Sequence, residues 1–391
     1  MLNLFRKSTG PLALIVLIMM VSACGKKDEQ VEWGIFQEPV KPSAMPDAKG
    51  EDAVSVLWDR NIGKAGEDGY AILRPGLTDN TLVVVNRQGT LQRLDQQTGK
   101  VLWQTSLKKA VFAGVGVGEG LALVALDSGE VVALDADNGE KKWTAEIGRP
   151  VSATPVAGAG RVVVRTADGL IMGLDALSGE TLWQVQRRTP GLTLHGDSAP
   201  LIFGETVITG LSNGKLLANG LLNGRDYWET DLSFVRGDNE LELLADADTP
   251  PVVSGARLFA ANYQGDVVAV DLNSSKVDWR TQLSTRLPMA VGETAMFITS
   301  DLGDVVALDI VTGSKIWSQP GFQGRGVSNP VNVGARVLIG DASGNIHVLD
   351  AADGTLVQTR KISSGAVTAL AASSNGVVAF SVRGTVAALA L

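Results

Sequence analysis

Apolar and polar positions along the chain alternate in short blocks, and the blocks recur. In Gly303-Asp-Val-Val-Ala-Leu-Asp309 a β-rich apolar run is bounded by turn formers; Ile310-Val-Thr-Gly313 is a turn, and Lys315-Ile-Trp317 opens the next strand. The same order appears at Gly89–Leu94–Asp95–Gly99–Trp103, Gly129–Leu134–Asp135–Gly139–Trp143, Gly169–Leu174–Asp175–Gly179–Trp183 and Gly303–Leu308–Asp309–Gly313–Trp317. Weaker copies are Gly214–Gly224–Trp228, Gly265–Val270–Asp271–Ser275–Trp279 and Gly344–Leu349–Asp350–Gly354–Gln358. The first Gly and the Trp are 14 residues apart in every copy, with Gln358 standing for Trp in the last. A period of about 40 residues made of short strands predicts the blades of a β-propeller. Each Trp offers one large apolar surface per blade for packing between neighbours. The repeated Asp and Gly read as turn residues.

An eighth copy begins at Arg383-Gly384 and reaches Leu391 before its turn and Trp. Ser55-Val-Leu-Trp58 has the form of an outer strand with no repeat before it, and Trp58 to Trp103 is 45 residues, a normal blade interval. The N-terminal strand is therefore expected to complete the blade begun by the C-terminus. The predicted fold is all-β, an eight-bladed propeller over residues 53–391, closed by pairing of the terminal strands. Closure removes exposed edges, and stacking of repeats lets so long a segment form one domain without a single central core.

Residues 1–23 read as a lipoprotein signal peptide. Arg6 and Lys7 form the charged region, Leu12 to Met20 the apolar region, and Val21-Ser-Ala-Cys24 a lipobox. Cys24 is then the lipidated residue, and it is the only Cys, so no intramolecular disulfide forms. Several acyl chains, palmitate among them, give stable anchoring. Gly25 follows Cys24 where an Asp would favour retention in the inner membrane, which predicts the outer membrane, periplasmic face. Residues 24–52, with Pro39, Pro42 and Pro46, read as a flexible tether in which Trp33 and Phe36 have no repeat context. Net charge is −8, and losing Arg6 and Lys7 takes it to −10 (−8 − 2). That balance argues against nucleic acid or anionic lipid as the main ligand.

No catalytic, metal or cofactor site is expected. His195, Asp197 and Ser198 have the residue types of a triad but crowd into four positions, whereas triads assemble from separated segments. His347 occupies a repeat strand position and reads as structural. Asp246-Ala-Asp-Thr lacks the further oxygen ligands of a calcium loop, and no His- or Cys-based metal motif or phosphate-binding Gly loop occurs. The repeat Leu-Asp-x-x-Thr/Ser-Gly-x-x-x-Trp resembles that of the pyrroloquinoline quinone dehydrogenases, also eight-bladed propellers. Many of those stack a Cys pair on the quinone, and here there is one Cys, so the likeness is read as one of scaffold. A dehydrogenase-like enzyme using that quinone (PQQ), or a periplasmic ligand-binding propeller, stands as the alternative.

Function is sought where the repeat departs from itself. Trp-to-Trp intervals run 45, 40, 40, 45, 51 and 38, and the long ones flank the fourth repeat. The inserted segments are 187–200, with Leu192 and Leu194, and 234–250, with Glu240, Glu242, Asp246 and Asp248. Apolar anchors ringed by charge suit a protein interface, provided the two segments share a face, which the sequence leaves open. The lipobox, the tether, the eight repeats, Leu192-Thr-Leu-His-Gly-Asp-Ser-Ala-Pro200 and Asp246-Ala-Asp-Thr-Pro-Pro-Val-Val253 together resemble the BamB family of lipoproteins of the outer-membrane β-barrel assembly machinery. The resemblance implies a non-enzymatic scaffold that binds the POTRA domains of the barrel insertase BamA, within the wider assembly complex, with unfolded outer-membrane proteins as a further implied partner. It implies partner-binding roles for Leu192, Leu194, His195, Asp246 and Asp248. Position 195 is His where the family pattern has Arg, which weakens any charge-assisted hydrogen bond there at neutral pH.

Overall fold

A computed structural model describes residues 41–50, 53–65, 72–78, 81–189, 198–232, 247 and 249–391. Its strands form eight sheets, each with four antiparallel strands, which follow in sequence order in seven of them. Blade 1 ends on the outer strand Val101–Ser106, blade 2 on Lys141–Glu146, blade 3 on Thr181–Gln186 and blade 4 on Asp226–Asp231. Blades 5, 6 and 7 end on Lys276–Gln282, Lys315–Gln319 and Leu356–Lys361. Blade 8 is composite. Its three inner strands come from Val367–Ser373, Gly376–Ser381 and Thr385–Ala390, and its outer strand is Ser55–Asn61, paired antiparallel to Thr385–Ala390. The expected closure of an eight-bladed ring by its terminal strands is thus observed. The short strand Ile72–Leu73 adds in parallel to the inner strand of blade 2.

The middle strands are apolar on both faces, as in Leu82–Val85 and Leu121–Leu126, because each sheet is covered by a blade on either side. Between blades the repeat Trp acts as a latch. Six of the seven repeat indoles donate their N–H to a carbonyl in the next blade's last turn: Trp58 to Gln96, Trp103 to Ala136, Trp143 to Ala176, Trp183 to Leu221, Trp279 to Ile310 and Trp317 to Ala351, at 2.8–3.3 Å. The turn Gly lies against the ring. A Cβ on Gly139 would come 2.5 Å from Trp103, and one on Gly179 2.6 Å from Trp143. These glycines also hold φ near +75°, so two independent constraints select Gly. In blade 5 Ser275 takes that place at φ +58°. Thr230 reaches its carbonyl, and the Trp228 of that outer strand is only half-buried, whereas Trp143 and Trp183 are buried.

The repeat Asp builds the turn itself. Its carboxylate accepts backbone N–H groups two and three residues on, as at Asp309 from Val311 (2.9 Å) and Thr312 (2.7 Å). These bonds hold the carboxyl below its ordinary value, through the Thr98 hydroxyl at Asp95 and backbone N–H groups of Ser178, Ser274 and Thr312 at Asp175, Asp271 and Asp309. At Asp135 Lys142 is the main cause.

Gln358 replaces Trp for a reason visible at the ring closure. Between blades 7 and 8 there is no continuous turn, because one strand ends the chain and the other starts near residue 53. The groups that approach are backbone N–H donors, not a carbonyl. Gln358 Oε1 accepts from Ala53 N (3.0 Å) and Val54 N (2.7 Å), and Arg360 donates to Val54 O (2.9 Å). An indole can only donate, so the reversed polarity excludes Trp. Upstream, residues 43–50, within the segment read as tether, lie against blades 6 and 7. Ser43 N donates to Gln323 O, Lys49 N to Leu356 O and Gly50 N to Val357 O, and Met45 packs on the core between those blades.

Two outcomes are expected. Gln358→Ala leaves two N–H groups unpaired and should lower unfolding free energy by about 1–3 kcal/mol in urea titrations; Gln358→Trp should not restore it. An unchanged midpoint in Gln358→Ala would refute the closing role. Because the repeat carboxyls titrate lower when folded, their contribution is complete above the unfolded carboxylate range and is lost as pH falls through and below about 4. Asp301, raised by burial, acts in the opposite sense but is one group against several. Urea midpoints should hold from neutrality to about pH 5 and then drop.

Candidate docking face

Strand order gives the disc two unlike faces. One carries the repeat turns between third and outer strands. The other carries the connectors from each outer strand to the next blade's inner strand. The two insertions are both connectors, from Thr181–Gln186 to Leu201–Phe203 and from Asp226–Asp231 to Val252–Ser254. They therefore leave and re-enter on the same face, the point that the sequence left open.

Their described ends are joined to each other. Ser198, fully buried, donates its hydroxyl to Thr249 O at 3.2 Å. Thr249, also buried, donates from Oγ1 to Ala261 O (2.9 Å) and accepts from Ala261 N (3.1 Å), which ties it to blade 5. Ala247 N donates to Leu211 O (3.2 Å) in blade 4. Gly210 lies beneath this junction. A Cβ there would come 2.5 Å from Ser198 Oγ and 2.6 Å from Ala247 O, so close approach of both connectors requires Gly. The departures are fixed as well. Arg187 pairs with Asp226, and Arg280 donates to the carbonyls of Asp231 and Leu232.

Arg165 is a further member that sequence reasoning missed. It ends the second strand of blade 3, is 5% exposed, and its Nη2 donates to Ser212 Oγ (3.2 Å), next to Leu211. The bond joins blade 3 to blade 4 next to Leu211, whose carbonyl receives Ala247 N. The signal of Arg165 in the sequence is slight: an Arg where Gly210 and Gly340 end the equivalent strands of blades 4 and 7.

Leu192, Leu194, His195, Asp246 and Asp248 lie outside the described residues, as do Glu240, Glu242, Asp197, Cys24, Trp33 and Phe36. Ser198 is committed to Thr249 and is not displayed as a nucleophile. His347 is fully buried in blade 7. Its Nε2 is 3.1 Å from Asp341 Oδ2, its Nδ1 is 2.9 Å from Thr359 Oγ1, and Phe322 packs on the ring. Burial alone would push the Asp341 carboxyl up; hydrogen bonds from His347 and Asn345 outweigh it and hold the pKa down at about 2. This is a satisfied core network. Among the described residues no cluster of three or more His, Cys, Asp or Glu is placed to hold a metal ion.

A rigid eight-bladed disc of quinoprotein-like repeats, with two long connectors pinned together on one face, defines a propeller that works through its loops. The sequence profile of the outer membrane protein assembly factor BamB matches residues 87–319 and 303–391. The chain is 41% identical to the BamB of Pseudomonas aeruginosa over 355 residues, 91% of each chain. It is 32% identical to that of Escherichia coli K12 over 339 residues, 84% of this chain and 86% of the relative. The crystal structure of BamB from Moraxella catarrhalis superposes with a TM-score of 0.79 at 27% identity, covering 87% of this chain and all of that one. The chain belongs to the BamB family of outer membrane protein assembly factors, which are not enzymes. Quinohemoprotein alcohol dehydrogenase from Comamonas testosteroni also superposes, with a TM-score of 0.69 over 90% of this chain and 80% of its own, but at 14% identity that likeness is one of fold alone.

The junction makes a direct prediction. Gly210→Ala must displace Ser198 or Ala247, and should cost about 1–3 kcal/mol of stability. It should also speed amide exchange at Ala247 without unfolding the neighbouring blades. Exchange at the wild-type rate would show that the two connectors do not depend on this contact.

Proposed function

We propose that the chain is a lipid-anchored scaffold of outer-membrane β-barrel assembly. It is held through Cys24 at the periplasmic face of the outer membrane, and it docks on the POTRA domains of the insertase BamA. Residues 1–23 are the signal peptide, and the chain from Cys24 carries the acyl groups. The docking residues are Leu192, Leu194, His195, Asp246 and Asp248. The reading rests on the junction of Ser198, Ala247 and Thr249 over Gly210. It brings to one point the two segments that bear those residues, so that apolar anchors from one and carboxylates from the other can meet a single partner surface. Ser43 bonds to Gln323 and Arg325, in the connector between blades 6 and 7, on the face that carries the two long connectors.

Direct use of the outer strands to pair with incoming chains is the weaker role. Every outer strand carries a β-bulge one residue before the Trp position, which interrupts the ladder an added strand would extend.

A binding titration of residues 25–391 against the POTRA domains is expected to saturate. Asp246→Lys with Asp248→Lys, folded by circular dichroism, should weaken it at least ten-fold, about 1.4 kcal/mol or more. Full binding by that double variant would remove the acidic connector from the interface, and no binding by the native protein would remove the scaffold role as a direct contact.

A further inference from the structure

The seam between blades 4 and 5 departs from the other Trp seams in three contacts at once. Elsewhere the indole N–H rests on a carbonyl of the facing turn, as Trp103 does on Ala136 and Trp279 on Ile310. Leu272 holds the corresponding place opposite Trp228, yet among the described residues the Trp228 indole N–H has no acceptor. The left-handed turn position is Ser275, at φ +58°. A Cβ on Gly139 or Gly313 would come 2.5 Å from the facing ring, so a Ser that carries one holds ring and turn apart. The flanking bond is stretched as well. Thr230 Oγ1 lies 3.5 Å from Ser275 O, against 2.7 Å for Thr105 to Gly139 O and 2.6 Å for Thr281 to Gly313 O, and it falls beyond the usual range of a hydroxyl donor. Half-burial alone does not mark the seam, since Trp279 is half-buried too but keeps its bond.

What the seam lacks on the turn face it has on the connector face. Arg280, on the outer strand of blade 5, crosses to blade 4 and donates to the carbonyls of Asp231, at 2.7 Å, and Leu232. Gln104, Thr144, Gln184, Glu229 and Ser318 hold the same place after the Trp in other blades, none of them a cation. Leu232 is fully buried in the core shared with Ile208 of blade 4 and Leu258 of blade 5. Thr249 adds its two bonds to Ala261, at 2.9 and 3.1 Å. Two sheets joined along one edge and unlatched along the other can turn about the joined edge.

We propose that the seam between blades 4 and 5 is a hinge of the disc, that its turn side opens about the connector side, and that docking on the connectors holds it closed. The coupling rests on the docking function proposed above. Its physical route is short. Asp231 ends the outer strand of blade 4 and Leu232 opens the connector that runs to Ala247, so a partner that orders this connector favours the state in which Arg280 holds both carbonyls. The factor by which docking suppresses opening is the ratio of the partner's affinities for the closed and open disc.

Hydrogen exchange of residues 25–391, read by mass spectrometry and corrected for intrinsic rates, tests the hinge. Gly139, Gly179, Gly224, Ser275 and Gly313 all donate their N–H to the carbonyl four residues earlier, at 2.8–2.9 Å, so a difference among these turns reports the seam and not the turn. Turn 271–275 is expected to exchange about ten-fold faster than turns 135–139 and 309–313. Ser275→Gly should slow it about three-fold or more, and Arg280→Met should speed it while turn 309–313 keeps its rate. The hinge is overturned if the turns of the native chain exchange alike, or if Ser275→Gly leaves turn 271–275 as fast as before. An unchanged rate in Arg280→Met removes Arg280 as the pin. Saturating POTRA domains should slow turn 271–275, on the face away from the docking connectors. POTRA binding without that slowing overturns the coupling. If the POTRA domains do not bind, the docking function and the coupling fall together, and the exchange of the free chain still decides the hinge.

Discussion

The fold depends on one contact repeated around the ring: an indole from one blade laid on a glycine turn of the next, with its N–H on a turn carbonyl. A four-stranded sheet buries too little by itself, and only the stack is stable. The latch sets the angle between neighbours at the rim, where blades diverge and aliphatic packing thins out. Each of its parts constrains the others. The Asp shapes the turn, the turn requires a left-handed residue at its end, and the ring requires that residue to lack a Cβ. Ser275 breaks the last condition opposite Trp228, which is half-buried, as is Trp279 over Gly313. Removal of one such ring would forfeit about 3–5 kcal/mol, a large part of a typical net stability.

Ring closure shows the same latch with its polarity reversed. A circular stack cut at one point must be rejoined by groups that differ from those at the seven other interfaces. Here the cut falls inside a turn, so the carbonyl that an indole would seek is replaced by the N–H groups of Ala53 and Val54, and a carboxamide oxygen receives them. Arg360 then serves the position that Thr105 and Thr281 serve elsewhere, bonding to the chain two residues along the strand from the latch. Ala53 N, Val54 N and Val54 O are thus all paired at the closure.

Much of this was legible in the sequence because the latch is made of residue types with few substitutes. Trp, Gly and Asp at fixed spacing disclosed the blades, their number and the composite eighth blade. Gln358 was visible as an exception, but its reason was not, since that lies in which backbone groups a distant segment brings near. Gly210 and Arg165 were not legible either. Nothing local distinguishes Gly210 from a strand-end glycine; its constraint comes from Ser198 and Ala247, one on each connector. The outward bulge was hidden for a related reason. A single extra residue before Trp changes neither the period nor the apolar pattern, yet it decides which side chain faces solvent at the rim.

The two faces were also under different constraints. On the repeat-turn face the turns between third and outer strands belong to the latches, so their length and their Gly and Asp cannot drift without loosening a blade interface. On the connector face a loop need only reach from one outer strand to the next inner strand, and lengthening it costs little, about 0.6 kcal/mol per doubling. New residues can therefore accumulate there while the disc stays intact. That freedom alone would give scattered, mobile loops. The Ser198–Thr249 bond and the close approach over Gly210 turn two adjacent connectors into one surface. A partner then meets it with less ordering to pay for on binding.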